Sequence, residues 1–127
     1  MERNVFILGR EREGGCFLEF QYCTSVTPVK DGKTDEEEIV FWKKDSILIS
    51  DDDFADFYLK YKDIFSCALF PDGGTGFDSC GINYYDAGKT KRILADLQKS
   101  IDGMYVDLIP WLEKADEKGS GFYILGI

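Results

Sequence analysis

Histidine is missing from all 127 residues. That omission removes histidine general bases, Ser-His-Asp triads, Cys-His dyads and histidine-ligated metals in one step. Long apolar runs are missing too. None approaches the roughly 20 residues a membrane-spanning helix needs, and Met1-Glu2-Arg3 leads into a strand-like stretch, not the core of a signal peptide. The expectation is a cytoplasmic protein with no membrane partner. Cys16, Cys23, Cys67 and Cys80 form no CxxC pair, so the usual zinc spacings are excluded and reduced, mostly buried thiols are expected. Positive charge is scarce: 15 basic residues stand against 24 acidic ones, a formal net charge of −9. That balance disfavours nucleic-acid phosphates and anionic lipid surfaces, and suits a basic partner.

What the chain does have is aromatic residues, ten Phe, seven Tyr and two Trp, enough to build a core dominated by rings. The length fits one domain spanning residues 1–127. Asn4 to Gly9 and Gly15 to Cys23 read as strands, the second alternating Cys16, Leu18, Phe20 and Tyr22 against Phe17, Glu19, Gln21 and Cys23. The polar REREGG between them predicts a hairpin. Pro28 to Glu38 carries turn chemistry at Asp31-Gly32 and reads as an exposed, mobile loop. EIVFWKK and SILIS supply one or two further strands.

The period then changes. Phe54, Phe57, Tyr58, Tyr61, Ile64 and Phe65 recur at helical spacing behind a Ser50/Asp51 cap. Asp51, Asp52 and Asp53 suit the positive end of that helix dipole. As a metal site they fail, because three adjacent carboxylates on a regular element cannot all face one ion, and the glycine-containing calcium-loop spacing is absent. A glycine-rich connection from Phe70 to Gly81 precedes a helix over about Ala87 to Ser100 capped by Asp86. A third helix runs from about Asp107 to Lys118, with Pro110 in its first turn and Gly119 at its end. GFYILGI closes the chain as a buried strand. The predicted fold is α+β, a mainly antiparallel sheet with two or three helices packed on one side.

Gly88-Lys89-Thr90 matches the end of a phosphate-binding GxxxxGK[ST] loop, but its first glycine would have to stand at Asn83. Asp86 would also repel phosphate from the helix start. The three residues are read as the first turn of a capped helix, with no cofactor bound. No spacing among the 24 acidic residues marks a catalytic carboxylate pair. Cys80, between Ser79 and Gly81, is the best candidate nucleophile, yet no base stands beside it to activate it; a buried thiol packing the turn is the plainer reading. No catalytic residue is assigned, and the chain is read as a non-enzyme.

The segments FDSCGINYYDAGKTKRILADLQ and LIPWLEKADEKGSGFYILGI, Phe77 to Ile127, resemble the C-terminal part of small bacterial immunity proteins. These neutralise polymorphic or contact-dependent inhibition toxins. In that group a GINYY-type segment introduces a helix, a second helix follows and a Gly-aromatic strand ends the chain. The resemblance implies an antitoxin without chemistry of its own that binds a cognate, basic, nuclease-type toxin. Lys30 to Asp63 holds eleven acidic and six basic residues, a net of −5 against −1 before it and −3 after it, so partner binding is expected there. The candidate residues are Glu36, Glu37, Glu38, Asp51, Asp52, Asp53 and Asp56, with Tyr84 or Tyr85 as aromatic anchors. The alternatives are a small enzyme or ligand-binding module using the Gly73 to Tyr85 loop and Cys80, or a general protein-interaction domain.

Overall fold

Alternation of apolar residues and a late switch to helical spacing produce an antiparallel sheet with helices on one face. The computed structural model describes residues 5–11, 15–23, 29–30, 33–34 and 42–126. In chain order the elements are β1 (Phe6–Leu8), β2 (Phe17–Tyr22), β3 (Val29–Lys30), β4 (Lys33–Thr34), β5 (Ile47–Ser50) and α1 (Asp51–Phe65). Then come β6 (Ala68–Leu69), β7 (Thr75–Gly76), β8 (Ile82–Tyr85), α2 (Ala87–Ser100), α3 (Leu108–Lys118) and β9 (Phe122–Leu125). Seven described strands form one sheet in the order β1-β5-β2-β9-β8-β6-β7, and every neighbouring pair is antiparallel. Among the described residues, β3 and β4 form a separate two-stranded antiparallel sheet.

The predicted hairpin between the first two strands does not form. β5 lies between β1 and β2, pairing Ile49 with Phe6 on one side and with Leu18 on the other. The physical reason is apolar content: Ile47, Leu48 and Ile49 are all buried, and a strand apolar on both faces belongs inside a sheet. A 3₁₀ turn at Gly9–Glu11 redirects the chain after β1. There the Gly9 amide donates to the Ser46 carbonyl at 2.7 Å, and a Cβ on Gly9 would collide with the Lys43 carbonyl. The stretch read as a glycine-rich connection also contains pairing: β6 and β7 are short strands within or beside it, and Ile82–Tyr85 is a strand paired along its length with β9.

The helices all pack on one face. Phe20 sits at the centre of their core, edge-on to Phe6, Phe57, Phe65 and Trp111 with centroids 5.5 to 6.4 Å away and stacked on Phe122 at 6.3 Å. Such pairs add to the burial of the rings themselves. Tyr22 stacks on Trp111 at 4.2 Å, with the Lys118 ammonium 5.1 Å over its ring. The other face is buried as well, through Cys23, Tyr84, Tyr123 and Leu125 and through Glu19 and Gln21. Glu19 is wholly buried. Its oxygens accept from the amides of Trp42 at 2.7 Å and Lys43 at 3.0 Å, from the Gln21 amide at 3.1 Å and from the Ser46 hydroxyl. That clip holds the turn before β5 onto β2, and Trp42 takes the left-handed φ of 66° within it.

Candidate functional site

Ser50 ends β5 and caps α1 in the same residue. Its hydroxyl accepts from the Asp53 amide at 3.2 Å and donates to the Asp53 carboxylate at 3.1 Å, which satisfies an orphan donor of the first turn. The Asp51 amide donates to the Cys16 carbonyl at 3.1 Å, pinning the helix start beside β2. From this start α1 buries Phe54, Phe57, Tyr61 and Phe65. Ala55 and Leu59 stand on the opposite side, and Leu59 is 71% exposed.

Between that outer surface and the turn around Phe77 to Cys80 lies an open groove of about 680 Å³, lined mainly by Leu18, Phe54, Ala55, Tyr58, Leu59 and Phe77. Asp51, Ser79 and Cys80 complete its border. Three stacked rings form the floor, with Phe54 5.8 Å from Tyr58, Phe54 5.4 Å from Phe77 and Tyr58 4.8 Å from Phe77. Burial, helped by the charge of Asp63, raises the Tyr58 pKa above that of a free tyrosine, so its hydroxyl stays protonated near neutral pH.

The facing turn is held by Asn83, which is wholly buried. Its side chain accepts from the Asp78 amide at 2.7 Å and donates to the carbonyls of Asp78 at 2.8 Å and Ile124 at 3.0 Å. Gly126 lets the same turn approach β9, since a Cβ there would run into the Ser79 carbonyl. The Asp78 carboxylate accepts from the Cys80 amide at 2.9 Å.

Of the residues expected to meet a partner, the structure brings only part together. Asp51 borders the groove, and Asp52 and Asp56 are exposed on the adjoining strip of α1. No described cation forms an ion pair with these three. Asp53 is half-buried and engaged by Ser50. Tyr84 and Tyr85 are interior and are not the aromatic anchors expected. Tyr84 is buried on the sheet face away from the helices with its hydroxyl on the Ser120 carbonyl at 3.1 Å. Tyr85 is fully buried, its hydroxyl on the Phe65 carbonyl at 2.5 Å and its ring stacked on Phe122 at 4.7 Å. Glu36, Glu37, Glu38 and the EIVF stretch lie outside the described residues.

No family model, curated protein or solved structure matches the chain. The groove is therefore interpreted from its own chemistry. Cys80 is exposed, contrary to the expectation of a buried thiol, because Asn83 and Asp78 hold the turn through hydrogen bonds and leave the thiol no packing role. Of the four free cysteines only Cys23 is buried. Gly88-Lys89-Thr90 is the first turn of α2: the Asp86 carboxylate accepts from the Lys89 amide at 2.8 Å, and the Lys89 ammonium donates to the Cys67 carbonyl at 2.7 Å. Among the described residues no helix is long and apolar enough to cross a membrane, and no group of three or more Cys, Asp or Glu is placed to hold a metal ion.

Sequence reasoning missed the apolar part of the groove. Leu59 was the available signal, because it falls off the buried stripe of α1 and stands next to Lys60 on a charged surface. Phe77 gave none, since only the fold carries it onto Phe54 and Tyr58.

Proposed function

We propose that this chain is an immunity protein that binds and neutralises a cognate bacterial toxin of nuclease type, without catalysing a reaction. The observation that carries the reading is the exposed apolar groove on α1 bordered by Asp51, with Asp52 and Asp56 alongside it on the helix and no described cation paired with any of the three. A protein that binds nucleic acid through basic residues presents complementary charge to such a surface, and complementarity of this kind raises the association rate. The net charge of −9 and the resemblance of residues 77–127 to immunity proteins point the same way.

The test is neutralisation. Co-expression with a nuclease-type toxin domain from the same genome should restore growth for the cognate toxin, and the two purified proteins should associate faster at low salt than at high salt. Charge reversal of Asp51, Asp52 and Asp56 to lysine should slow association and narrow the salt effect, while unfolding stays cooperative with a melting temperature lowered by several degrees, because Asp51 and Asp52 also suit the positive end of the α1 dipole. Growth arrest that co-expression leaves untouched, with no complex formed, would overturn the reading.

A ligand-binding module built on the 73–85 turn has one observation in its favour, the exposure of Cys80 at the groove. Cys80→Ser separates the two readings. Protection of cells by the variant should equal that of wild type; a loss with the fold intact favours thiol chemistry.

A further inference from the structure

We infer that the groove beside α1 is the docking site for a cation-flanked apolar segment of a protein partner. One bulky apolar side chain seats over the rings of Phe54, Tyr58 and Phe77, while a lysine or arginine beside it meets Asp51 at the helix start. That the partner is a protein rests on the immunity reading. The chemistry of the site rests on the groove alone.

Isolated exposed leucines are ordinary on protein surfaces and call for no explanation. Leu59 is not isolated: with Ala55 on its own helix it lines an open groove of about 680 Å³ over a floor of three stacked rings. An occupant must therefore bring apolar surface. The border decides its charge. Asp51 is exposed at that border, Asp52 and Asp56 extend the negative strip along α1, and no described Lys or Arg lines the groove. A second copy of this chain would set Asp51, Asp52 and Asp56 against themselves across a two-fold axis under a net charge of −9 per chain, a repulsive arrangement. An uncharged ligand would leave the carboxylates unused. A cation beside an apolar anchor uses both parts of the site.

The experiment uses the full chain and three synthetic twelve-residue peptides, with phenylalanine flanked by lysines, phenylalanine flanked by glutamates, and serine flanked by lysines. Calorimetry at low salt should detect binding of the first peptide only. Leu59→Arg, at a position exposed enough to spare the fold, should weaken that binding by about tenfold, the usual effect of losing one anchor. No binding of the first peptide overturns the proposal. So does equal binding of the serine peptide, which would reduce the site to charge, or equal binding of the glutamate peptide, or undiminished binding by a folded Leu59→Arg. A wild-type dimer in sedimentation equilibrium that Leu59→Arg dissociates would give the groove to a second copy and overturn it as well. Running Leu59→Arg against the toxin keeps the two readings apart. Protection and toxin affinity unchanged by the substitution remove this docking site and leave the immunity reading standing, whereas the expected peptide results with a toxin that is never neutralised do the reverse.

Discussion

Glu19 and Asn83 show how one polar side chain can organise a loop that apolar packing does not reach. Glu19 serves four donors from a fully buried position. Glu19→Ala strands them together, and since each buried unmet donor costs about 1 to 3 kcal/mol, a loss of roughly 3 kcal/mol or more is expected in urea unfolding. Glu19→Gln keeps one oxygen and should lose less. A loss under about 1 kcal/mol for Glu19→Ala would mean that water replaces the carboxyl group. Asn83→Ala should lose about 2 kcal/mol by the same reasoning. It should also speed amide exchange across residues 78–82, because the turn then opens locally without global unfolding. Neither role could be read from sequence. Glu19 alternates with apolar neighbours as a surface residue of a strand would, and Asn83 drew notice only as the position where a phosphate loop needs glycine.

Element by element, legibility followed local physics. All three helices were visible with their caps, because Ser50, Asp86 and Gly119 act on the first or last turn of their own helix. The last strand was visible because four consecutive apolar residues flanked by glycines leave few other options. The pairing of β1 with β5 was not visible, since it joins residues far apart in sequence through apolar content that several strands share. The groove was hidden for the same reason: its walls come from β2, α1 and the turn before β8. Two glycines mark the difference between local and long-range constraint. Gly119 has a φ of +75° and nothing within 4 Å of an added Cβ, so Gly119→Ala should cost only the left-handed conformation, about 1 kcal/mol. At Gly126 an added Cβ meets the backbone of Ser79 and Cys80. Gly126→Ala should cost about 2 kcal/mol or more and weaken partner binding, by displacing the turn that borders the groove. Equal stability of the two variants would show that this turn yields freely.

At the scale of the whole molecule, buried tyrosines set the alkaline limit. Burial, then the charge of Asp45, pushes the Tyr22 pKa up to about 12 from 10.0, and burial leads the upward shifts of Tyr58, Tyr61 and Tyr85. A raised acid pKa means that the folded chain keeps protons the unfolded chain has already released. The contribution is therefore complete below pH 10 and is lost as pH climbs toward 12. Urea midpoints should fall between about pH 10 and about pH 12, and Tyr22→Phe should flatten part of that fall; a flat profile in wild type would contradict the burial of these hydroxyls. The sheet order carries one more consequence, and it concerns synthesis. β9 separates β2 from β8, and Cys23 contacts Tyr123 across 100 positions of chain. β2 from residue 23 onward, and β8 from residue 86 onward, therefore wait with an open hydrogen-bonding edge for a strand translated only at residues 122–125. Pairing over such separations is slow, and unpaired edges are where chains aggregate. A chain released before Phe122 should accumulate in inclusion bodies, whereas one carrying residues 122–126 should close its sheet.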